Sequence, residues 1–195
     1  QFINDKPVLI MAKLDGLTCS LTYENGELVM AETRGDGEIG EDILHNARVI
    51  SSIPKRIRYK ERLVVDGEII CLKEDFEKFA DEYKNPRNLC SGSVRQLNNQ
   101  ITKERNVRFY AFSLVSAEGL SFETRQQQME WLGDQGFERV TYRKVDANTI
   151  KDEVKWFADN IEGNPIPSDG LVLVLDDIAY GESLGQTSKF PRDAI

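Results

Sequence analysis

A buried-strand pattern that ends in a lysine is the most constraining feature of the sequence. Residues 8–12 (Val-Leu-Ile-Met-Ala) have the length and composition of a buried strand, and Lys13-Leu14-Asp15-Gly16 follows at once. An ammonium at the end of such a run is costly because it loses water. A lysine that sheds its proton there, beside a tight Asp-Gly turn, is a candidate covalent nucleophile. The alternative is a lysine whose stem covers the core while its head reaches solvent.

Alternation of polar and apolar residues after the lysine predicts an antiparallel hairpin. Residues 17–23 and 28–33 alternate as strands do, and Asn25-Gly26 between them is a strong signal for a two-residue turn. Further strands are predicted over 63–70, 107–115 and 169–175, with a short one between the last two helices; helices are predicted over 41–47, 76–83, 85–97, 124–135 and 149–160. The length suits one domain, or one domain built of two lobes.

Three glycines after the hairpin match a dinucleotide-binding pattern that their surroundings contradict. Residues 35–40 read Gly-Asp-Gly-Glu-Ile-Gly, which fits G-x-G-x-x-G before a predicted helix. The preceding strand, however, pairs in a hairpin and does not open a βαβ unit. Acidic residues also surround this turn, where a bound pyrophosphate would need free backbone N–H groups and positive potential. We therefore predict a turn that directs Arg34 and no dinucleotide site here.

Charged residues at strand positions indicate a cleft that binds phosphate. Glu68 lies in an apolar strand before Ile69-Ile70, where a carboxylate is either paired or functional. Asp169 heads the apolar strand 169–175. Together with Lys13 and Arg34, these strand ends would supply both signs of charge around one cleft.

Arginines and aromatic residues extend this set. Arg87 and Arg95 are eight residues apart, so a helix over 85–97 would place them within about 80° of one face. The strand over 107–115 is predicted to present Tyr110 and Phe112 on one side.

The charge of the chain is unevenly distributed. The net charge of −8 argues by itself against a nucleic-acid partner. Between Glu24 and Asp42 there are seven acids and one base, whereas between Lys84 and Arg108 there are six bases and one acid. The second stretch predicts either a basic face that meets phosphates, with affinity that falls as salt rises, or a solvated helix face.

Composition excludes several classes of protein. No apolar run approaches the roughly 20 residues of a membrane helix, and no signal peptide is visible. Cys19, Cys71 and Cys90 are far apart and odd in number, which argues against a zinc site or a disulfide framework and favours buried thiols in a reducing cytoplasm. The chain starts at Gln1 without a methionine and stops at Ile195, so we expect a fragment of a longer protein.

Six sequence blocks follow one another along the chain. They are Lys-Leu-Asp-Gly at 13–16, Thr-Arg-Gly-Asp-Gly at 33–37, Asp-Gly-Glu at 66–68, a long block from Asn85-Pro86-Arg87-Asn88 to Leu97, Ser-Asp-Gly-Leu-Val at 168–172, and Thr-Ser-Lys-Phe-Pro-Arg at 187–192. In this order they resemble the adenylation (nucleotidyltransferase) domain of bacterial NAD-dependent DNA ligases. The resemblance covers essentially the whole chain, and six ordered blocks are far more specific than the lysine motif alone.

The resemblance implies a fold and a domain organisation. The fold would be α+β, a nucleotidyltransferase (ATP-grasp-like) fold with largely antiparallel sheets flanked by helices around a nucleotide cleft. Residues 1–195 would form one adenylation domain, without the upstream domain that binds nicotinamide mononucleotide and without the downstream OB-fold and later domains.

The resemblance also implies a reaction and its partners. NAD would donate AMP to Lys13, the AMP would pass to a 5′-phosphate at a nick in double-stranded DNA, and the nick would be sealed. Mg²⁺ is implied as the divalent ion, although the sequence shows no dedicated set of ligands. The protein would be a monomer in the bacterial cytoplasm, associated with the nucleoid and free of membranes.

Roles for individual residues follow from the same resemblance. Lys13 would be the catalytic residue. The nucleotide would be held by Lys13, Leu14, Arg34, Glu68, Phe112 and Asp169, and DNA near the nick would meet Arg87 and Arg95. Within this set, Phe112 would stack on adenine and Glu68 would accept a hydrogen bond from the ribose.

Two positions depart from the family pattern. Met11 stands where the family usually has a glutamate, and Val174 stands where it usually has a lysine. These departures keep open a non-catalytic DNA-binding relative. A second alternative is an RNA ligase or capping enzyme with the same lysine chemistry, against which the block over 85–97 argues.

Overall fold

Two antiparallel sheets form the frame of the computed structural model, which describes residues 6–35 and 38–184. The strands are β1 (Val8–Leu14), β2 (Leu17–Glu24), β3 (Glu27–Gly35), β4 (Glu38–Asp42), β5 (Leu63–Ile70), β6 (Arg108–Ala117), β7 (Tyr142–Val145) and β8 (Ser168–Leu175). The helices are α1 (Leu44–Ala47), α2 (Lys73–Glu77), α3 (Pro86–Ser93), α4 (Asn99–Glu104), α5 (Arg125–Asp134), α6 (Ile150–Asn160) and α7 (Ile178–Ser183).

The sheets differ in size and share no strand. The smaller has the order β7-β1-β8 and the larger the order β4-β3-β2-β5-β6, with antiparallel pairing between all neighbours. The α+β class with largely antiparallel sheets is thereby confirmed. No helix in the described part of the chain is long and apolar enough to cross a membrane.

The chain passes from the small sheet to the large one through Asp15 and Gly16. A Cβ atom on Gly16 would lie 2.0 Å from the carbonyl oxygen of Ile69, so the close approach of the two backbones requires glycine. The backbone N–H of Asp15 donates to the carbonyl of Pro167 at 2.9 Å. The lysine motif therefore occupies the junction between the sheets.

The continuous apolar run of β1 is explained by burial on both faces. Leu9 and Met11 belong to the main core, which lies against the large sheet, whereas Val8 and Ile10 pack with Phe157 of α6 in a smaller core. Full burial of such side chains contributes roughly 1.5–3 kcal/mol each. A strand that is covered on both sides has no polar face, and this explains the absence of alternation.

The predicted hairpin is confirmed. β2 and β3 pair antiparallel around Asn25 and Gly26, whose φ angles are 51° and 79°. Positive φ at both central residues is the geometry that favours Asn-Gly in two-residue turns. The helices predicted over 124–135 and 149–160 are confirmed as α5 and α6, and β7 lies between them.

The helix predicted over 41–47 is wrong in its first half. Residues 38–42 form β4, which pairs with β3, and α1 begins only at Leu44. The N–H of Glu41 donates to Oγ1 of Thr33 at 2.9 Å, and Oδ1 of Asp42 accepts from the N–H of Leu44 at 2.9 Å. Pairing with β3 therefore outweighs the helical conformation that the local sequence of this segment suggests.

The helix predicted over 76–83 is wrong in position as well as length, and the helix predicted over 85–97 is shorter than expected. α2 covers Lys73–Glu77, and α3 starts as predicted, with Oδ1 of Asn85 accepting from the N–H of Asn88 at 2.8 Å, but ends at Ser93. Arg95 thus lies beyond the helix, and the argument that it shares a helix face with Arg87 is wrong. The residues after α3 are bonded to Asn46, which is distant in sequence, and a local periodic pattern cannot reveal such a contact.

Candidate active site

A cavity of about 410 Å³ lies where residues of both sheets meet α5. Its lining comprises Met11, Ala12, Lys13, Leu14, Thr18, Glu68, Phe112, Ser113, Leu114, Arg125, Gln128, Met129, Val140, Val172 and Val174. Four residues that the sequence nominated for nucleotide binding, Lys13, Leu14, Glu68 and Phe112, therefore line one cavity.

Lys13 lies near the end of β1, opposite Gly170 of β8. The expected burial of this lysine is wrong, because its side chain is exposed. The alternative considered for it, a stem on apolar surface with the head in solvent, describes its placement. The neighbouring Leu14 is buried and also lines the cavity. The amine is thus accessible to a substrate in the cavity.

Glu68 is fixed in position by two donors. Its Oε1 accepts from Oγ1 of Thr18 at 2.7 Å, and its Oε2 accepts from the N–H of Gly16 at 3.2 Å. Burial raises the pKa of Glu68, and the two hydrogen bonds oppose that rise because they favour the carboxylate. The carboxylate is therefore tied directly to the turn that follows Lys13.

Phe112 reaches the cavity through an irregularity in β6. Asp66 pairs with Ser113 and Gly67 with Ala111, so Phe112 is the extra residue of a β-bulge. As a result Phe112 and the two residues after it all line the cavity, whereas a regular strand would turn every second side chain away. Tyr110, expected on the same side, is half-buried and is not among the lining residues.

Arg34 and Asp169 lie outside the lining of the cavity. Arg34 is half-buried, and its Nη1 lies 3.9 Å from Oδ2 of Asp66 on β5. Asp169 is exposed, with Oδ2 at 3.9 Å from Nη2 of Arg87. The Asp-Gly pair at 36–37 and the block at 187–192 lie outside the described residues.

The two candidate DNA-binding arginines are held by different acids. Nη2 and Nε of Arg87 lie 2.8 Å and 3.3 Å from Oδ1 of Asp15, in the turn after the lysine. Nε of Arg95 lies 2.9 Å from Oε2 of Glu41 on β4. Arg87 thus belongs to the surroundings of the lysine motif, while Arg95 belongs to the edge of the large sheet.

Nothing in the sequence indicated that α5 lines the cavity. Arg125, Gln128 and Met129 face it, and the helix is anchored by the buried Asp176, whose Oδ1 accepts from the N–H of Gln126 at 3.0 Å. The Thr124-x-x-Gln127 capping box marks where this helix begins. It carries no information about which element the helix packs against.

One wall of the cavity is apolar at the positions where the chain departs from the family pattern. Met11 pairs with Val172 across β1 and β8, and both line the cavity with Val174. Leu114, Met129 and Val140 extend this wall. The polar groups Lys13, Thr18 and Glu68 lie in the same lining, so the cavity combines an apolar wall with a few placed polar groups, as small-molecule sites commonly do.

Within residues 6–35 and 38–184, no group of three His, Cys, Asp or Glu side chains could hold a metal ion. Asp15 belongs to the lysine motif and Asp169 precedes Gly170, which pairs with Lys13, and a carboxylate oxygen of each lies within 4 Å of Nη2 of Arg87. Mg²⁺ commonly binds through one or two carboxylates together with substrate phosphates. Both aspartates are paired with Arg87, so the described residues form no preformed Mg²⁺ site.

Comparison with known proteins identifies the relatives of this chain. The family model described as "NAD-dependent DNA ligase adenylation domain" matches residues 1–195. A DNA ligase of Ruminiclostridium cellulolyticum is 52% identical over 100% of this chain, and one of Campylobacter jejuni is 43% identical over 96% of it. The chain spans 31% and 30% of the length of these two relatives.

Solved structures support the fold. A mycobacterial DNA ligase D complexed with ATP and MES matches with a TM-score of 0.54 at 14% identity, over 91% of this chain and 52% of that one. An archaeal ATP-dependent RNA ligase matches with a TM-score of 0.55 at 14% identity, over 89% of this chain and 40% of that one. At such identities the likeness concerns the nucleotidyltransferase fold alone. The match over every residue and the identity to the curated ligases show that the chain belongs to the family of NAD-dependent DNA ligase adenylation domains.

Proposed function

We propose that this domain forms the lysyl-AMP intermediate of an NAD-dependent DNA ligase and passes the AMP to nicked DNA. The observation that carries the proposal is the position of Lys13 at the cavity, with Glu68 hydrogen-bonded to the turn three residues later. An exposed amine at the same cavity as a fixed carboxylate suits attack on a bound nucleotide. Family membership makes NAD the expected AMP donor.

In the first step Nζ of Lys13, as the free amine, attacks the adenylyl phosphorus of NAD. A nitrogen–phosphorus bond forms, the bond from phosphorus to the bridging oxygen breaks, nicotinamide mononucleotide leaves with that oxygen, and the proton lost by the amine passes to solvent. NAD is consumed and is therefore a substrate of this step. Such transfers depend on positioning and on stabilisation of the phosphoryl charge more than on covalent help.

The lining residues supply positioning for the nucleotide. Glu68 would accept a hydrogen bond from a ribose hydroxyl, and Phe112 would stack on the adenine. Leu14 would pack against the nucleoside from the buried end of the motif. Arg34 would approach the phosphate side, and Asp169 would support the cleft from beside Arg87. Mg²⁺ would neutralise phosphate charge when the nucleotide is bound.

In the later steps the 5′-phosphate at the nick displaces Lys13 from AMP, and the 3′-hydroxyl then displaces AMP to close the backbone. Arg87 and Arg95 would meet DNA phosphates near the nick, in line with the six bases and one acid between Lys84 and Arg108. We further propose a monomer that acts on chromosomal DNA in the bacterial cytoplasm during replication and repair.

The test is the intact mass of the full-length protein with and without NAD. We expect a gain of one adenylyl group in the wild type. Lys13→Ala should abolish the gain, and so should Lys13→Arg, because a guanidinium stays protonated. A normal adduct in either variant would remove Lys13 from its role, and an adduct formed from ATP but not from NAD would favour the RNA-ligase type of activity.

A further inference from the structure

Gln128 presents an unpaired amide to the cavity. It lies in the first half of α5, is half-buried and belongs to the lining. Its backbone N–H donates to the carbonyl of Thr124 at 3.3 Å, but its side chain has no hydrogen-bond partner within the described part of the chain. A polar group that a ligand cuts off from water is costly unless the ligand bonds to it. The amide of Gln128 is therefore available to a bound nucleotide.

The helix that carries this amide is fixed at its N-terminal end. The N–H of Arg125 donates to the carbonyl of Asp176 at 2.8 Å, and the N–H of Gln126 donates to Oδ1 of Asp176 at 3.0 Å. Asp176 is 2% exposed, and its Oδ2 lies 3.3 Å from Nζ of Lys144 on β7. Its own N–H donates to the carbonyl of Pro7, just before β1, at 3.1 Å. These bonds hold α5 in place against the small sheet.

Gln128 and Phe112 belong to adjoining elements at the same cavity. α5 packs against β6, and both side chains are in the lining. Met129, the residue after Gln128, is buried in the main core and lines the cavity as well. A purine that stacks on the ring of Phe112 turns its edge, where its polar groups lie, toward the other lining residues. Gln128 is one of the groups that this edge can meet.

The edge of adenine requires an acceptor and a donor side by side, because its exocyclic amino group donates while the ring nitrogens beside that group accept. The polar side chains of the described lining are Lys13, Thr18, Glu68, Ser113, Arg125 and Gln128. Lysine and arginine cannot accept, and Thr18 and Glu68 are bonded to each other. A serine hydroxyl is a single group, whereas an amide carries a separate donor and acceptor. Gln128 thus suits this edge best.

We propose that Gln128 recognises the adenine base of NAD. Its Oε1 accepts a hydrogen bond from the exocyclic amino group, and its Nε2 donates one to the neighbouring ring nitrogen, the pairing that glutamine also makes with adenine in DNA. This inference rests on the proposed function, which supplies the nucleotide. Gln128 is then a specificity-determining residue. It selects the base, while Lys13 and Glu68 serve the phosphate and the ribose.

The experiment compares AMP with purine riboside monophosphate, which lacks only the exocyclic amino group. Both nucleotides are titrated by calorimetry into the full-length wild type and into Gln128→Leu, Gln128→Glu, Gln128→Lys and Gln126→Leu. Leucine removes the amide at similar size, glutamate keeps an acceptor, and lysine keeps only donors. Gln126 is the matched control, because it is a half-buried glutamine of the same helix that does not line the cavity. Formation of lysyl-AMP from NAD is measured alongside.

We expect the wild type and Gln126→Leu to bind AMP about fivefold more tightly than the analogue, the usual effect of one neutral hydrogen bond. Gln128→Leu and Gln128→Lys should bind the two nucleotides within about twofold of each other, because neither offers an acceptor to the amino group. Gln128→Glu should keep the preference for AMP, since a carboxylate still accepts. The KM for NAD should rise in Gln128→Leu and stay unchanged in Gln126→Leu.

A full preference for AMP in Gln128→Leu or Gln128→Lys would overturn the inference, because another acceptor would then meet the amino group. Equal binding of the two nucleotides by the wild type, or loss of the preference in Gln128→Glu, would also overturn it. If one variant does not fold, the other two still decide the question. These outcomes leave the proposed function intact. A wild type that forms no lysyl-AMP from NAD would instead overturn the proposed function itself.

Discussion

Arg87 and Asp15 form an ion pair in which Nη2 lies 2.8 Å from Oδ1, and it joins α3 to the turn two residues after Lys13. The side chains are 59% and 32% exposed, so the pair contributes only about 0.2–1 kcal/mol to stability. We infer that the ion pair matters chiefly because it holds the turn after Lys13 in position against α3. Asp15 is held on its other side by the hydrogen bond from its N–H to Pro167, and the turn is thus fixed from both directions.

Replacement of Arg87 is expected to separate the steps of the reaction. Arg87→Ala and Arg95→Ala should slow nick sealing more than self-adenylation, because both cations are assigned to DNA phosphates. Single-turnover assays of each step provide the measurement. Arg143→Ala is the control, since Arg143 is also paired, with Glu153, but belongs to β7 and α6. An equal loss in self-adenylation would move Arg87 into the nucleotide site.

Replacement of Phe112 is expected to weaken binding of AMP. Phe112→Ala should cost about 1–3 kcal/mol, the usual contribution of stacking between a base and an aromatic ring. Tyr110→Ala is the matched control, because Tyr110 lies two residues away on β6 but does not line the cavity. Calorimetric titration of AMP measures both variants. Unchanged affinity in Phe112→Ala would assign the adenine to another surface, such as the apolar wall at Met11.

Binding of AMP is expected to strengthen as the pH rises through the raised pKa of Glu68. Burial raises that pKa, so the group stays protonated to a higher pH than a free glutamate and then becomes the carboxylate that accepts from ribose. Glu68→Gln should remove this dependence when AMP is titrated at several pH values. If the variant and the wild type respond equally to pH, the titrating group is a different one.

The same shift affects the free energy of unfolding with a defined sign. Because the pKa of Glu68 is higher in the folded state than in the unfolded state, its stabilising contribution is fully present below the unfolded value. It is lost as the pH rises through the folded value. Denaturant unfolding of the wild type and Glu68→Gln over that range measures the difference.

The three cysteines are expected to be unreactive in the folded protein. Burial raises the pKa of Cys19 to about 12 and of Cys71 to about 11, and it holds the pKa of Cys90 well above its ordinary value. Only the thiolate reacts, so a thiol reagent at about pH 8 should modify the native protein very slowly and the unfolded protein at once. Rapid modification of one cysteine in the native protein, located by peptide mapping, would contradict its burial.

The parts of the fold that were predictable are those encoded locally. The Asn25-Gly26 hairpin follows from turn geometry and alternation, and the lysine motif and Glu68 lie on strands because apolar runs surround them. The end of α3 was not predictable, because the segment after it is held by Asn46, 48 residues before Val94, whose Nδ2 donates to the carbonyl of Val94. A contact between residues so far apart in sequence does not change the local pattern of polar and apolar residues from which helix ends are predicted.

The candidate site shows the same division. Lys13, Leu14 and Glu68 were assigned to the nucleotide from their motifs, and they line one cavity. The participation of Gln128 depends on how α5 docks against both sheets, and the anchor for that docking, Asp176, is distant in sequence. The exposure of Lys13 matches the alternative of a stem over the core with its head in solvent, since an apolar run predicts burial of its own residues and not of the side chain that ends it.

The bulge in β6 adds one residue to that strand, and the arrangement of side chains at the cavity depends on this extra residue. Phe112 has no partner on β5, so a strand one residue shorter could keep the ladder from Asp66 to Gly67 in regular register. Such a deletion would remove the aromatic ring of Phe112 from the lining of the cavity. The length of β6 therefore helps to determine which side chains reach the cavity, in addition to the identity of those side chains.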